Sequence, residues 1–179
     1  MAIVPVFTCG FECGADTGTA GHWVATGAGA TFQTTTFRNG LRAGQINITT
    51  TTASFDHTAA SSNIFVYRFA VRFTTIPSAD CELATVVIAG TAPCGVHFKN
   101  SDSTIHIGTA WNSFSFVGFA VTTGTWYYVD VRIDASANPW TIDGKVNGTT
   151  IAANYLQSSA AATGTVLRLG PTTQSVTAN

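Results

Sequence analysis

The segment GTWYYVDVRIDASANPWTIDGKVNG, residues 124–148, decides the fold of this chain. Apolar and polar side chains alternate over its first strand, which is the period of a β-strand with one buried face. The inward set is Tyr127, Val129, Val131 and Ile133, and the outward set is Trp126, Tyr128, Asp130, Arg132 and Asp134. Asn147-Gly148 then supplies the positive φ angles of a tight hairpin turn. The segment therefore predicts an antiparallel hairpin in an all-β protein.

The rest of the chain repeats this pattern of short apolar runs between turn residues. The strongest run is Ile64–Phe73, in which every second side chain is a large apolar one. Glu82–Ala89 reads as a strand buried at the centre of a sheet. Further strands are predicted at Ile3–Thr8, His22–Val24, Phe32–Phe37, Gln45–Thr52, Val96–Lys99, Thr104–Ile107, Phe114–Val121 and Val166–Leu169. About ten short strands with frequent turns predict an antiparallel β-sandwich or jelly roll. The length suits one domain over residues 1–179.

Charge is scarce in this chain. Charged residues make up 9% of it, against roughly a quarter in an average soluble domain. Eight Lys and Arg against nine Asp and Glu give a net charge of -1, so the basic patch typical of a nucleic-acid-binding protein is not expected. The low charge fits a protein that is buried in an assembly or works outside the cell, and it fits an ordinary Thr-rich β-protein equally well.

The N-terminal residues MAIVPVFTCGFECG lack a basic start and reach Pro5 and Gly10 too early for the apolar core of a signal peptide. No apolar run approaches the length of about 18 residues that a membrane span requires. We therefore expect no signal peptide and no membrane partner, and no pattern in the chain indicates a cofactor.

Four cysteines occur, at Cys9, Cys13, Cys81 and Cys94. Their spacing is not that of a zinc site, and no pair of histidines completes a ligand set, so no metal site is expected. Cys81 and Cys94 flank an apolar run and could meet across neighbouring strands, whereas Cys9 and Cys13 bracket a turn. Four cysteines allow three pairings, and disulfides and buried free thiols both remain open.

The carboxylates do not form the pair that glycoside cleavage requires, two groups about 5–9.5 Å apart. Asp130 and Asp134 lie four residues apart on one strand face, about 13 Å at about 3.3 Å per residue. Arg132 lies between them, which indicates a salt-linked outer face. The serines and histidines show no nucleophile motif either, so we predict that the protein is not an enzyme.

Two weaker metal patterns have simpler alternatives. His97 and His106 could face each other across a hairpin and bind a metal, but we interpret them as strand histidines with exposed tips. Asn100, Asp102 and Asn112 carry the oxygen ligands that calcium prefers. Residues 100–103 are interpreted instead as a turn.

Sugar binding without a metal would use an exposed aromatic ring beside amide and hydroxyl groups. Trp111 with Asn112 is the first candidate for such a platform, and Trp140 is the second. The alternative is that Trp111 covers the edge of the core or contacts a neighbouring subunit.

Residues Tyr67–Gly170 resemble the concanavalin A-like, laminin-G-like jelly-roll superfamily. The resemblance lies in the Trp126-x-x-Val129-x-Val131 entry, the Asn147-Gly148 turn and the late segment 167–170, Leu-Arg-Leu-Gly. The opening segment 10–14, Gly-Phe-Glu-Cys-Gly, and the hairpin NPWTIDGKVNG are similar to structural proteins of tailed bacteriophages. The resemblance implies a further strand after Gly170 that the last residues do not match. We therefore expect a longer native chain, or a sheet edge beside Ile3–Phe7 that is open or covered by a partner strand.

The resemblance implies a non-enzymatic virion structural protein, first of all a capsid decoration or cement protein, or else a tail or head appendage module. Its partners would be other virion subunits and itself, as a homotrimer, and its location the surface of the particle after assembly in the host cytoplasm. The alternative is a glycan-binding adhesion module that contacts host-surface carbohydrate. Repetition on a lattice would make weak contacts sufficient in either case.

Overall fold

A computed structural model of the chain describes residues 23–35, 43–46, 53–88, 94–110, 113–114, 117–157 and 161–171. In chain order its strands are β1 (Trp23–Thr26), β2 (Ala30–Gln33), β3 (Ala43–Ile46), β4 (Ser54–Ser62), β5 (Ile64–Arg72), β6 (Cys81–Ile88), β7 (Cys94–Lys99), β8 (Thr104–Ala110), β9 (Ser113–Phe114), β10 (Phe119–Ala120), β11 (Trp126–Asp134), β12 (Trp140–Val146), β13 (Thr149–Gln157) and β14 (Gly164–Leu169). Within these ranges the helical structure is one 3-10 turn, Asn100–Asp102, and no helix there is long and apolar enough to cross a membrane.

The strands form two large antiparallel sheets and one small one. The eight-stranded sheet has the order β1-β4-β14-β6-β7-β8-β10, with β9 also paired to β8. The four-stranded sheet has the order β13-β12-β11-β5, and β2 pairs with β3 in a separate hairpin. The two large sheets share one hydrophobic core. The predicted all-β, antiparallel β-sandwich of jelly-roll type is confirmed.

The four-stranded sheet follows the alternation of its sequence. β11 pairs residue by residue with β5, so that Val129 lies opposite Phe69 and Val131 opposite Tyr67 on the inner face. The turn between β12 and β13 has Asn147 at φ 50 and Gly148 at φ 81, the left-handed conformation that the Asn-Gly pair favours. The backbone N–H of Tyr128 donates to Oδ1 of Asn147 (2.8 Å), which ties the turn to β11. The strand faces and the Asn147-Gly148 hairpin turn that were predicted from this segment are both confirmed.

The core lies between the inner faces of the two large sheets. Its most buried large side chains include Phe98, Ile105 and Ile107 from one sheet, and Ile133, Trp140 and Ile142 from the other. Full burial of one such side chain contributes about 1.5–3 kcal/mol. Gly144 of β12 lies directly over Ile107, and a Cβ at this position would overlap the Cδ1 of Ile107. The absent side chain therefore lets the sheets approach closely there.

Most predicted strands are present, and two regions differ. β4 was not predicted, because its sequence SFDHTAASS is mostly polar, and it forms between β1 and β14. Around the predicted strand Phe114–Val121, the described residues form two short strands, β9 and β10, instead of one long strand. The predicted strand Ile3–Thr8, the edge beside it and the chain end after residue 171 lie outside the described residues. The single-domain boundaries stay a prediction.

Candidate functional site

The outer face of the eight-stranded sheet carries polar side chains that are buried instead of solvated. Ala84, Val96 and Ile105 of β6, β7 and β8 point into the core, so alternate residues of these strands point outward. Five of these outward residues form what we call the polar floor: Glu82, Thr85, His97, Thr104 and His106, exposed by 2, 1, 0, 8 and 5%. These side chains are shielded from solvent, because an open outer face would leave them in water. The neighbouring Arg168 and Asp56 on the same face are partly exposed.

One side of the polar floor is bounded by an ion pair between β4 and β14. Arg168 donates from Nε to Oδ1 of Asp56 (2.7 Å) and from Nη2 to Oδ2 (2.6 Å), a bidentate pair with side chains 25% and 22% exposed. Hydrogen bonds to Asp56 raise the pKa of Arg168 despite partial burial, and the charge of Glu82 adds to the effect. Arg168 is therefore a fixed cation between two carboxylates. Val24 lies opposite Asp56 on β1 and is exposed.

The two histidines of the floor lie directly opposite each other on β7 and β8. His97 is fully buried, and its Nε2 lies 3.3 Å from the carbonyl oxygen of Gly108. Burial lowers the pKa of His97 to about 4; the Gly108 hydrogen bond opposes this shift and the neighbouring His106 adds to it. His97 is therefore neutral at pH 7. The prediction that these histidines face each other is confirmed, but the prediction of exposed tips is wrong.

A chain of hydrogen bonds links His106 to the other side of the floor. Nε2 of His106 lies 2.7 Å from Oγ1 of Thr104, and Thr104 donates its hydroxyl proton to Oδ1 of Asp102 (2.9 Å). Because a hydroxyl has one proton, Thr104 must accept from His106, which places the imidazole proton on Nε2. Gly118 covers this contact, since a Cβ there would lie 2.5 Å from Nε2 of His106.

Lys99 completes this second boundary, with Nζ donating to Oδ2 of Asp102 (3.0 Å). Desolvation acts to raise the pKa of Asp102, but the hydrogen bonds from Lys99 and Thr104 outweigh it and hold this pKa below its usual value. The Lys99–Asp102 pair is more exposed than the Asp56–Arg168 pair. The floor is thus flanked by two ion pairs, each with its cation committed to a carboxylate.

Of the two tryptophans predicted as sugar platforms, the structure describes only Trp140. Trp140 is 1% exposed and belongs to the core, because it lies two residues before Ile142 on β12 and points to the same inner face. The prediction of Trp140 as a platform is therefore wrong. Trp111 and Asn112 lie outside the described residues, between β8 and β9 in sequence, and their role stays a prediction.

The cysteine pairing is also corrected. Cys81 is a buried free thiol that lies opposite Phe98, whereas Cys94 lies opposite Val86 on the same pair of strands. This register separates the two cysteines by about 13 Å along β7 at about 3.3 Å per residue, so a Cys81–Cys94 disulfide is wrong. Burial, followed by the charges of Asp80 and Glu82, raises the pKa of Cys81 to about 12. Cys9 and Cys13 lie outside the described residues.

The remaining sequence candidates have structural partners. Arg132 bonds to Asp134 (2.8 Å), and Arg68 pairs with Asp130, which confirms the salt-linked outer face of the four-stranded sheet.

The turn interpretation of residues 100–103 is also confirmed. Asn100 donates from Nδ2 to the carbonyl oxygen of Pro77 (2.6 Å) and from its backbone N–H to Asp80 (2.7 Å), so its side-chain amide bonds a backbone carbonyl. In the part of the chain that the structure describes, no three His, Cys, Asp or Glu side chains form a metal-binding group.

The sequence analysis missed three members of the site, Asp56, Glu82 and Arg168. The available signal was the placement of charged residues inside strand sequences of a chain with only 9% charge. The register that unites them, over 112 residues between Asp56 and Arg168, is not visible in the sequence.

The comparisons with known proteins concern the fold. No protein-family model and no curated protein matches the chain. Among solved structures, a sialidase is similar with a TM-score of 0.59 and 12% identity, over 84% of this chain but only 13% of the sialidase. Domain 4 of AbnA, a GH43 extracellular arabinanase from Geobacillus stearothermophilus in complex with arabinotriose, gives a TM-score of 0.54 and 13% identity over 91% of this chain and 90% of that one. Alginate lyase vAL-1 from Chlorella virus gives 0.55 and 10% over 87% and 88%.

Identities this low show a shared fold. The chain has the jelly-roll-like β-sandwich architecture that occurs in these carbohydrate-active proteins.

Proposed function

We propose that this chain is a non-catalytic carbohydrate-binding module, with its saccharide on the outer face of the eight-stranded sheet. The observation that carries the proposal is the match to domain 4 of the arabinanase AbnA. That domain is in complex with arabinotriose, and the match covers 91% of this chain and 90% of that domain. A sandwich of the same extent is therefore compatible with oligosaccharide binding, although the fold alone does not fix function.

The geometry of the outer face supports the proposal. Saccharide sites combine hydrogen-bonding groups held in fixed positions with apolar surface beside them. Arg168 is fixed by Asp56, and guanidinium N–H groups beyond the two bonded ones remain to donate to hydroxyl oxygens. Exposed Val24 lies next to this pair on β1. The site therefore offers fixed donors, carboxylate acceptors and an apolar neighbour.

The histidines of the floor favour binding over catalysis. A general base must reach the substrate proton and have a pKa near the working pH. His97 is fully buried with a pKa of about 4, and Nε2 of His106 is engaged by Thr104 beneath Gly118. The similarity to alginate lyase vAL-1 makes a lyase the competing hypothesis, and turnover of alginate by the purified chain would support it instead.

Titration calorimetry with arabinotriose and a glycan array test the proposal. The decisive variant is Asp56→Asn with Arg168→Gln, which removes both charges of the pair and keeps groups that can hydrogen-bond. We expect roughly a 10- to 100-fold loss of affinity, since hydrogen bonds to charged groups contribute about 1.5–3 kcal/mol. The matched control is Asp134→Asn with Arg132→Gln, the ion pair on the opposite sheet, which should bind as the wild type does.

Two results would overturn the proposal: no binding of any glycan by the wild type, or equal losses in both double variants. Trp111→Ala on the same array tests the platform predicted from the sequence. The bacteriophage origin, virion partners and location, and the homotrimer remain predictions from sequence, because none of the solved structures named above is a bacteriophage virion protein.

A further inference from the structure

We infer that this site takes a neutral glycan and discriminates against glycans that carry uronic or sialic acid, an inference that rests on the proposed carbohydrate-binding function. The outer face holds three carboxylates, Asp56, Glu82 and Asp102, against two cations, Lys99 and Arg168. Among the described residues of the polar floor and its flanks, negative charge is therefore in excess.

The positive charge of Arg168, the cation nearest the centre of the face, is already neutralised by nearby carboxylates. Two of its N–H groups are bonded to Asp56 at 2.7 and 2.6 Å, and Glu82 acts on the same guanidinium from β6. A ligand carboxylate would be the third anion around one cation, in a region where partial burial strengthens repulsion. A sugar hydroxyl adds no charge, and its oxygen can accept a hydrogen bond from one of the remaining N–H groups of Arg168.

Lys99 does not change this balance. Its ammonium is bonded to Asp102, whose other oxygen accepts the proton of Thr104. This pair is about one third to one half exposed, so solvent and salt weaken its contribution to either class of ligand. His97 adds no positive charge at pH 7, because burial favours its neutral form.

The hydroxyl groups of the face complete the argument. Thr58 is exposed on β4, whereas Thr85 and Thr104 are buried and the hydroxyl of Thr104 is already bonded to Asp102 and His106. The exposed hydroxyl of Thr58 and a neutralised guanidinium suit the donor and acceptor pattern of a neutral sugar, whereas recognition of a carboxylate requires a cation that is free to pair with it.

The test uses sugars that differ only at C6. Titration calorimetry at pH 7 compares galactotriose with trigalacturonic acid, and mannotriose with mannuronate trisaccharide, the two members of each pair having the same linkage and anomeric configuration, and includes arabinotriose. We expect the neutral member of each bound pair to bind at least about 10-fold more tightly at low salt. Added NaCl should reduce this difference in affinity, because it screens the repulsion between the ligand carboxylate and the carboxylates of the site.

Charge variants identify the cause. Asp56→Asn and Glu82→Gln each remove one carboxylate and should reduce the affinity difference between neutral and acidic sugars by roughly 10-fold. The control Asp134→Asn, on the other sheet, should leave this difference unchanged. Since Glu82 is buried and its variant risks misfolding, the more exposed Asp56 provides the second, independent measurement.

The outcomes separate the two ideas. Acidic glycans bound as tightly as neutral ones, or more tightly, would overturn the charge inference and leave carbohydrate binding intact. An unchanged affinity difference in both charge variants would also overturn it. No binding of any sugar on the array or in solution would overturn the proposed function, and this inference with it.

Discussion

The outer faces of the two sheets use the same chemistry in different surroundings. On the four-stranded sheet, Arg68 pairs with Asp130, and the Arg68 side chain is 81% exposed beside exposed Val66 and Tyr128. On the eight-stranded sheet, Arg168 pairs with Asp56 at about one quarter exposure, beside polar groups that are almost fully buried. The first face is an ordinary solvated surface, whereas the second keeps its charges partly out of water. The chemistry of an arginine–aspartate pair therefore does not distinguish the two faces, but the burial of its neighbours does.

The largest expected difference between the faces is in how much each contributes to the loss of stability at acidic pH. Burial lowers the pKa of His97 to about 4, from 6.5 in the unfolded chain, so the fold favours the neutral imidazole. Its stabilising contribution is complete above pH 6.5 and is lost as the pH falls from 6.5 to 4, because the unfolded state binds the proton first. At about 1.4 kcal/mol per pH unit, the loss reaches about 3 kcal/mol.

Urea unfolding of the wild type and His97→Asn across pH 4–7 measures this effect. The variant should lose the part of the pH dependence that belongs to His97, whatever its own stability at pH 7. Parallel pH curves for the two proteins would show that His97 is not the buried titrating group.

An intermediate effect is expected when one partner of each ion pair is removed. Asp56→Ala leaves the partly buried Arg168 without its bidentate acceptor and should lower the free energy of unfolding by about 2 kcal/mol. Asp130→Ala leaves Arg68 in water and should change it by less than about 0.5 kcal/mol. Chemical denaturation at pH 7 gives both values, and equal losses would mean that the faces do not differ in solvation.

The smallest effect is expected from adding a methyl group to a glycine near each face. Gly118→Ala places its Cβ against His106 and Thr104, and the covering segment can shift to relieve the overlap. Gly148→Ala meets no atom within 4 Å, but its φ of 81 strains an alanine.

We expect each of these two variants to lose about 1 kcal/mol. They should differ in the His106 ring resonances measured by NMR, which Gly118→Ala alone should shift. An unshifted His106 spectrum in Gly118→Ala would mean that this glycine does not cover the floor.

The sequence predicted best the strands whose own residues alternate. β5 and β11 have one buried and one solvated face, so their period-2 pattern specifies both the strand and its orientation. β4 has no such pattern and depends on pairing with β1 and β14, which are distant in sequence. A strand of this kind is specified by its neighbours.

The site was predicted poorly for a related physical reason. Trp140 was the second candidate for a surface ring, but it alternates in step with Ile142 on β12 and therefore points into the core. Asp56, Glu82 and Arg168 read as scattered charges, and their meaning depends on sheet order, which brings β4, β14 and β6 side by side. Local pattern gives the face of a residue, and long-range pairing gives its partners.

The bare backbone at Gly144 has a consequence for the whole sandwich. Ile107 fits against this glycine from the opposite sheet, and the residues on either side of it in β8, His106 and Gly108, point to the outer face. The spacing between the two layers is thus set at a point directly beneath the polar floor. A side chain added at residue 144 would have to displace Ile107, and with it the strand that carries His106.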